Sequence, residues 1–279
     1  MRRVRKHNRR RIRPGTVPRK TMLLVMALAA IFGVGVAENE AKRDPFREQR
    51  ERMVREDIAP RGFFIGRDPV EAKPVLQAMR TVPRHEFVPP NQRKRAYADH
   101  PLPIGYGQTI SQPYIVAYMT EMLQLEAAAV ALEIGTGSGY QAAVLAEIAK
   151  AVYTIEIVPE LGHAAAERLK RLGYKNVEAR TGDGYYGWSE HAPYDAIIVT
   201  AAASHIPPPL IEQLKPGGRM AIPVGPPMRV QYLMLVEKRP DGTTVQRNVM
   251  PVRFVPLTRG ARTAGAGLPP AKETEAAER

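Results

Sequence analysis

Glu133, Glu156 and Asp183 each stand at or near the end of an expected strand. The first leads into Ala131-Leu-Glu-Ile-Gly-Thr-Gly-Ser-Gly-Tyr-Gln141, where Gly135, Gly137 and Gly139 alternate. Glycines between an apolar strand and a helix let backbone amides approach a ligand closely. A dinucleotide fingerprint would need its third glycine where Tyr140 stands, so the spacing argues against NAD. Glu156, at the end of the next strand, is placed to accept both hydroxyls of a ribose. Asp183, between Gly182 and Gly184 at the end of the third strand, is placed to reach an adenine amino group. Glu133 adds negative charge before the turn, which would repel a pyrophosphate and suit a cation. The set fits a ligand with an adenosine, no pyrophosphate and a positively charged end, and S-adenosylmethionine is such a ligand. Without a ligand, the same residues make a tight turn flanked by solvated carboxylates.

Other residue types narrow the chemistry further. The chain has no cysteine, which removes disulfides, thiolate metal sites and a cysteine nucleophile. Its six histidines, at 7, 85, 100, 163, 191 and 205, show no paired ligand spacing, and no metal is expected. His85 reads as a packed or surface histidine, Asp195 as a structural residue at a strand start, and Pro207-Pro208-Pro209 as a helix initiator. Ser111, ahead of Gln112-Pro113, is by local pattern a helix cap.

The elements that must position these groups follow from periodicity. Strands are expected over 130–134, 151–157, 176–181, 194–200 and 219–224, and helices over 138–149, 159–172 and 207–215. Residues 229–238 and 244–255 should form a hairpin around Pro240-Asp241-Gly242. A helix after Ser111 would carry Ile115, Val116, Met119, Met122 and Leu123 on one face, and Asp68-Pro69 should start another. The alternation implies an α/β fold: a doubly wound, mostly parallel sheet with a C-terminal antiparallel hairpin and a ligand crevice at the carboxyl ends of its strands. One domain is expected over 61–260, behind a charged, partly helical linker over 38–60 and before a disordered tail over 261–279.

Of the 279 residues, 44% are hydrophobic, enough for a sizeable core. The net charge of +13 is concentrated at one end. Residues 1–20 hold ten Lys or Arg and no acid, which leaves 31 basic and 28 acidic side chains for the rest. That near-neutral body gives no sign of a basic groove for nucleic acid. The sixteen uncharged residues 22–37 behind the basic tail fit a signal peptide, a membrane anchor, or an upstream extension from a misassigned start. Membrane contact is expected only through residues 1–37.

Several longer motifs occur in order: Val82-Pro-Arg-His-Glu-Phe-Val-Pro89, Ala96-Tyr-Ala-Asp99, Gly105-Tyr-Gly-Gln-Thr-Ile-Ser-Gln-Pro-Tyr114, the glycine turn, Gly182-Asp-Gly184, Tyr194-Asp-Ala-Ile-Ile-Val-Thr-Ala-Ala-Ala203, Leu214-Lys-Pro-Gly-Gly-Arg219 and Val255-Pro-Leu-Thr258. On these, the chain from about Thr81 to Thr258 resembles the protein-L-isoaspartate O-methyltransferase family. The basic, apolar N-terminus departs from it. The resemblance implies a Rossmann-like methyltransferase sheet and transfer of a methyl group from S-adenosylmethionine to the α-carboxylate of an L-isoaspartyl residue in a damaged protein. It implies that Gln108, Thr109 and Ser111 lie between cofactor and substrate, with the Ser111 hydroxyl at the substrate carboxylate. It places Gly135, Gly137, Gly139, Glu156, Asp183 and Gly184 on the cofactor. It places Val255, Pro256, Leu257 and Thr258 on the substrate. Chemistry agrees: a carboxylate is ionised at neutral pH and needs no general base. A cytoplasmic monomer is expected, because the cofactor is made in the cytoplasm, although the leader-like start points to export. The rivals are a methyltransferase of this fold with another acceptor and a non-catalytic tethered binding module.

Overall fold

The computed structural model describes residues 44–62, 73–227 and 229–260. At its centre is a seven-stranded sheet built from β3 (Val130–Ile134), β4 (Ala151–Glu156), β5 (Val177–Thr181), β6 (Tyr194–Val199), β7 (Leu214–Val224), β8 (Gln231–Lys238) and β9 (Thr244–Val252). Their order is β5-β4-β3-β6-β7-β8-β9. The first five are parallel, and β8 and β9 add to the β7 edge antiparallel. This is the expected doubly wound sheet with its terminal hairpin. β7 starts earlier than foreseen, because Leu214 pairs with Tyr194 before the register shifts and Arg219 pairs with Ala196. Lys215-Pro-Gly-Gly218 is the irregularity between them, as proline and glycine in a strand would suggest.

β3 and β6 are apolar on both faces because other elements cover both. Leu132, Ile134, Ile155, Ile197, Val199, Leu210, Met220 and Val236 form the core beside them. Pro159 and Pro208 sit in the first turns of the α-helices Pro159–Arg171 and Pro208–Gln213, where a missing N–H costs nothing. The helix after the glycine turn, Tyr140–Ala146, is shorter than expected.

The N-terminal half differs most from expectation. Residues 48–60, expected to be a linker, run through Arg47–Arg52, Met53–Ile58 and Ala59–Arg61 as α, π and 3-10 turns. Met53, Val54 and Ile58 are buried there, so the charged composition hides an apolar stripe that belongs to the core. A hairpin of β1 (Leu102–Gly105) and β2 (Gln108–Ile110) was not foreseen. Tyr106 and Gly107 link its strands with positive φ at both positions, the geometry of a tight two-residue turn. The next helix, Pro113–Met122, is buried on nearly every side, including Tyr114, Tyr118, Thr120 and Glu121. A single apolar face was expected; packing against the N-terminal helices, β7 and the helix Tyr140–Ala146 covers the rest. Asp68-Pro69 and the segments 1–37 and 261–279 lie outside the described residues. Among the described residues no helix is long and apolar enough to cross a membrane.

Candidate active site

The strand order reverses between β3 and β6, and the glycine turn leaves β3 at that point, where an open α/β sheet forms its ligand crevice. Gly135 has φ +97°, and a Cβ there would stand 2.5 Å from Thr200 Oγ1. That hydroxyl donates to the carbonyls of Ile134 (3.0 Å) and Gly135 (2.7 Å), tying the end of β3 to the end of β6. Glu156, buried at the end of β4, accepts from the amides of Gly137 (2.7 Å) and Val158 (3.0 Å). It therefore holds the turn's shape while lining the same cavity. Gly139 does not line it. At φ +86°, a Cβ here would stand 3.2 Å from Leu169 and 3.5 Å from Ala165, so this glycine lets the helix seat on its neighbour.

Glu133 lies on the cavity wall and is fully buried. The Thr154 hydroxyl donates to its Oε2 at 2.6 Å, and Thr154 in turn meets the Thr136 hydroxyl at 2.5 Å. Oε1 has no partner among the described residues. Burial, reinforced by the nearby charge of Glu156 and opposed by the Thr154 hydrogen bond, pushes the Glu133 carboxyl up to about 8. Without a ligand the group is thus mostly neutral at pH 7, where the sequence suggested a standing negative charge. A cation brought to Oε1 would favour the ionised form.

Asp183 departs from expectation as well. It is absent from the cavity wall, although its neighbour Gly184 lines it. Asp183 Oδ1 accepts from the Tyr185 amide, while Oδ2 accepts from Arg259 Nε (2.9 Å) and the Gly260 amide (3.3 Å). The Arg259 guanidinium also lies 3.6 Å from the Tyr185 ring centre. The C-terminal residues Arg259 and Gly260 thus hold one carboxylate oxygen, and the other has the Tyr185 amide as its one donor among the described residues.

Two cavities meet beside the turn. The first, about 70 Å³, is lined by Gln108, Glu133, Gly135, Gly137 and Glu156 among others. The second, about 490 Å³, is lined by Arg61, Ile115, Val230, Met250, Arg253 and Phe254 among others. Thr109, Ser111, Thr200 and Val255 line both. Pro256, Leu257 and Thr258 line the first only, so of the Val-Pro-Leu-Thr motif Val255 alone reaches the second. Reciprocal backbone bonds hold this strap: Ala202 N–H donates to Val255 O and Leu257 N–H to Ala202 O, both at 2.8 Å.

Ser111 is not a helix cap. The helix begins at Pro113, its N-cap residue is Gln112, and no cap side chain bonds to it. Asp99 does that work from upstream, accepting from the Tyr114 amide (2.9 Å), Gln112 Nε2 (2.7 Å) and Arg61 (2.9 Å). The Ser111 hydroxyl is left without a partner among the described residues, on the wall common to both cavities. Sequence reasoning missed Asp99, Thr200 and Arg84, which shape this wall; all three lie inside quoted motifs, and that was the only signal. The minor expectations hold: His85 Nδ1 pairs with the Tyr97 hydroxyl (2.7 Å), and Asp195 accepts from Val130 N–H and Lys215.

A family model described as protein-L-isoaspartate(D-aspartate) O-methyltransferase matches residues 65–262. The chain belongs to this family. It is 57% identical to protein-L-isoaspartate O-methyltransferase 2 of Syntrophobacter fumaroxidans over 86% of this chain and 96% of the relative. It is also 57% identical to protein-L-isoaspartate O-methyltransferase 1 of Cupriavidus necator, over 84% of this chain and 90% of the relative. Among solved structures, a Plasmodium falciparum protein described as belonging to this family, in complex with S-adenosyl-L-homocysteine, matches with a TM-score of 0.63 at 25% identity. The match covers 76% of this chain and 99% of that one. Another structure named protein-L-isoaspartate O-methyltransferase matches with a TM-score of 0.61 at 33% identity, over 66% of this chain and 60% of that one.

Proposed function

We propose that this protein is a protein-L-isoaspartate O-methyltransferase, transferring the methyl group of S-adenosylmethionine to the α-carboxylate of L-isoaspartyl residues in damaged proteins. The observation that carries the reading is the unpartnered Ser111 hydroxyl on the wall between the two cavities. One cavity has the glycine turn and buried acids suited to a cationic nucleoside, and the other is an open cleft with two arginines and no acid among its lining residues.

S-adenosylmethionine, when bound, supplies a methyl group on a sulfonium, already an activated leaving group. Glu133 Oε1, buried and unpartnered, would accept from the ligand's ammonium, and Glu156, whose oxygens already accept from the Gly137 and Val158 amides, would offer their remaining lone pairs to the ribose. Gln108 and Thr109 close the wall beside it. Ser111 donates a hydrogen bond to one oxygen of the acceptor carboxylate, orienting the other without removing a proton. No base is needed, because the acceptor is ionised at neutral pH. Holding the reacting groups in line supplies roughly 7–11 kcal/mol by itself. Val255 and the rim of the second cavity hold the peptide around the isoaspartate.

Labelled S-adenosylmethionine with an isoaspartyl peptide and its aspartyl twin tests this. Base-labile label on the first alone is expected; equal labelling of both, or of neither, refutes it. A monomer in the cytoplasm, close to the cofactor's supply, completes the reading. Fractionation with N-terminal sequencing and gel filtration checks it.

A further inference from the structure

Arg84 is the largest fully buried side chain of the described residues, and among them it makes no close ion pair, although Asp99 favours its charge from further off. Burying an uncompensated cation is costly, so a protein keeps one where the charge or its geometry has a use. Its contacts show where that use lies. Nε donates to the Ala96 carbonyl at 2.8 Å, and Nη2 donates to the Ser111 carbonyl at 2.6 Å. The guanidinium carbon sits 4.7 Å from the centre of the Tyr140 ring, and Tyr140 lines the first cavity. Nη1 has no partner among the described residues.

We infer that Arg84 is a positioning residue for the methyl acceptor, acting through the Ser111 carbonyl; this rests on the function proposed above. The planar guanidinium bonds two carbonyls at once, which a lysine ammonium cannot reproduce with the same geometry. By fixing the Ser111 carbonyl it fixes the plane of the peptide that follows, whose N–H points the opposite way, away from Arg84. The Ser111 backbone is thereby locked, and with it the bond from which the hydroxyl projects. The charge behind that peptide, only partly balanced by the more distant Asp99, acts in a poorly screened interior and favours an anion at Ser111. Because a misplacement of one ångström at a reacting group can cost about a hundredfold in rate, the effect should fall on turnover.

The test is a cycle of Arg84→Lys, Ser111→Ala and the double variant in the full chain. Turnover on an isoaspartyl peptide is measured alongside calorimetry with S-adenosyl-L-homocysteine. Arg84→Lys is expected to lower kcat about a hundredfold, with the Kd for S-adenosyl-L-homocysteine within about twofold of wild type. In the Ser111→Ala background the same change should cost less than about threefold, because its route to the acceptor is already broken. Wild-type kcat in Arg84→Lys overturns the inference while leaving the proposed function standing. So does an undiminished loss in the Ser111→Ala background. A variant that no longer binds S-adenosyl-L-homocysteine makes Arg84 a scaffold residue and also overturns it. A wild-type chain that methylates no isoaspartyl peptide removes the proposed function and this inference together.

Discussion

Replacing Glu133 with glutamine should make the ligand-free protein more stable at neutral pH and flatten its pH dependence. The carboxyl has its ordinary value of 4.5 in the unfolded chain and is pushed up to about 8 in the folded one. Below the lower value both states hold the proton, and the group's contribution to stability is fully present. Between the two values the folded state holds a proton that the unfolded state has released, so stability falls as pH rises. The slope is about 1.4 kcal/mol per pH unit. Above the upper value the loss is complete. From about pH 5.5 to about pH 7.5, wild type should lose roughly 3 kcal/mol relative to Glu133→Gln. Urea unfolding of both proteins at several pH values reads this directly, since groups common to both cancel. S-adenosyl-L-homocysteine, whose ammonium would ionise Glu133, should release close to one proton on binding wild type at pH 7 and none on binding Glu133→Gln. Calorimetry in two buffers of different ionisation enthalpy measures that number. Parallel unfolding curves, together with equal proton release, would refute the reasoning that this buried acid is neutral until a cation reaches it.

Ser111→Ala should lower kcat about tenfold to a hundredfold while the Kd for S-adenosyl-L-homocysteine stays within about twofold, measured by peptide methylation and calorimetry. Gly135→Ala introduces a Cβ at φ +97°, 2.5 Å from Thr200 Oγ1. Backbone strain of about 1–2 kcal/mol and disturbed Thr200 hydrogen bonds should weaken cofactor affinity at least about tenfold, as calorimetry would read. Arg259→Ala removes the cation that occupies Asp183 and should speed association of S-adenosyl-L-homocysteine in stopped flow, with less than about 1 kcal/mol change in stability because the arginine is exposed. The Lys215 hydrogen bond and charge, with the Val130 amide, hold the Asp195 carboxyl below its usual value despite partial burial. Its contribution is therefore present above the unfolded value of 3.8 and fades as pH falls through the folded one. Asp195→Asn should cost about 1 kcal/mol at pH 7 and progressively less in acid, by denaturant titration.

The sheet was legible in the sequence because β3, β4 and β6 are short, largely apolar runs, and β5 stands at the same spacing between a helix and Gly182. The parallel order followed from the helices between them. The carboxylates were found by type and spacing, but their states were not, since those depend on partners remote in the chain. Asp183 is held by Arg259, 76 residues later, and the neutrality of Glu133 comes from the burial that β3 experiences between its neighbours. Ser111 was mistaken for a cap by local pattern because the true cap acceptor, Asp99, comes from outside the helix and its flank. Within the expected linker over 38–60, the helical character was legible but the contribution of residues 48–60 to the core was not, because three buried apolar side chains are outnumbered by charges that mostly face water. The β1–β2 hairpin is short, and its Tyr-Gly turn is a weaker signal than Asn-Gly or Asp-Gly.

The central claim is that one hydroxyl between two cavities lines up a carboxylate already ionised with a methyl donor already activated. A crystal structure of the full chain with S-adenosyl-L-homocysteine and an isoaspartyl peptide tests it most directly. The Ser111 Oγ should lie within about 2.6–3.2 Å of the isoaspartyl α-carboxylate, with a free carboxylate oxygen facing the cofactor's sulfur. A peptide seated elsewhere, or a carboxylate held by other groups with Ser111 turned away, would contradict it.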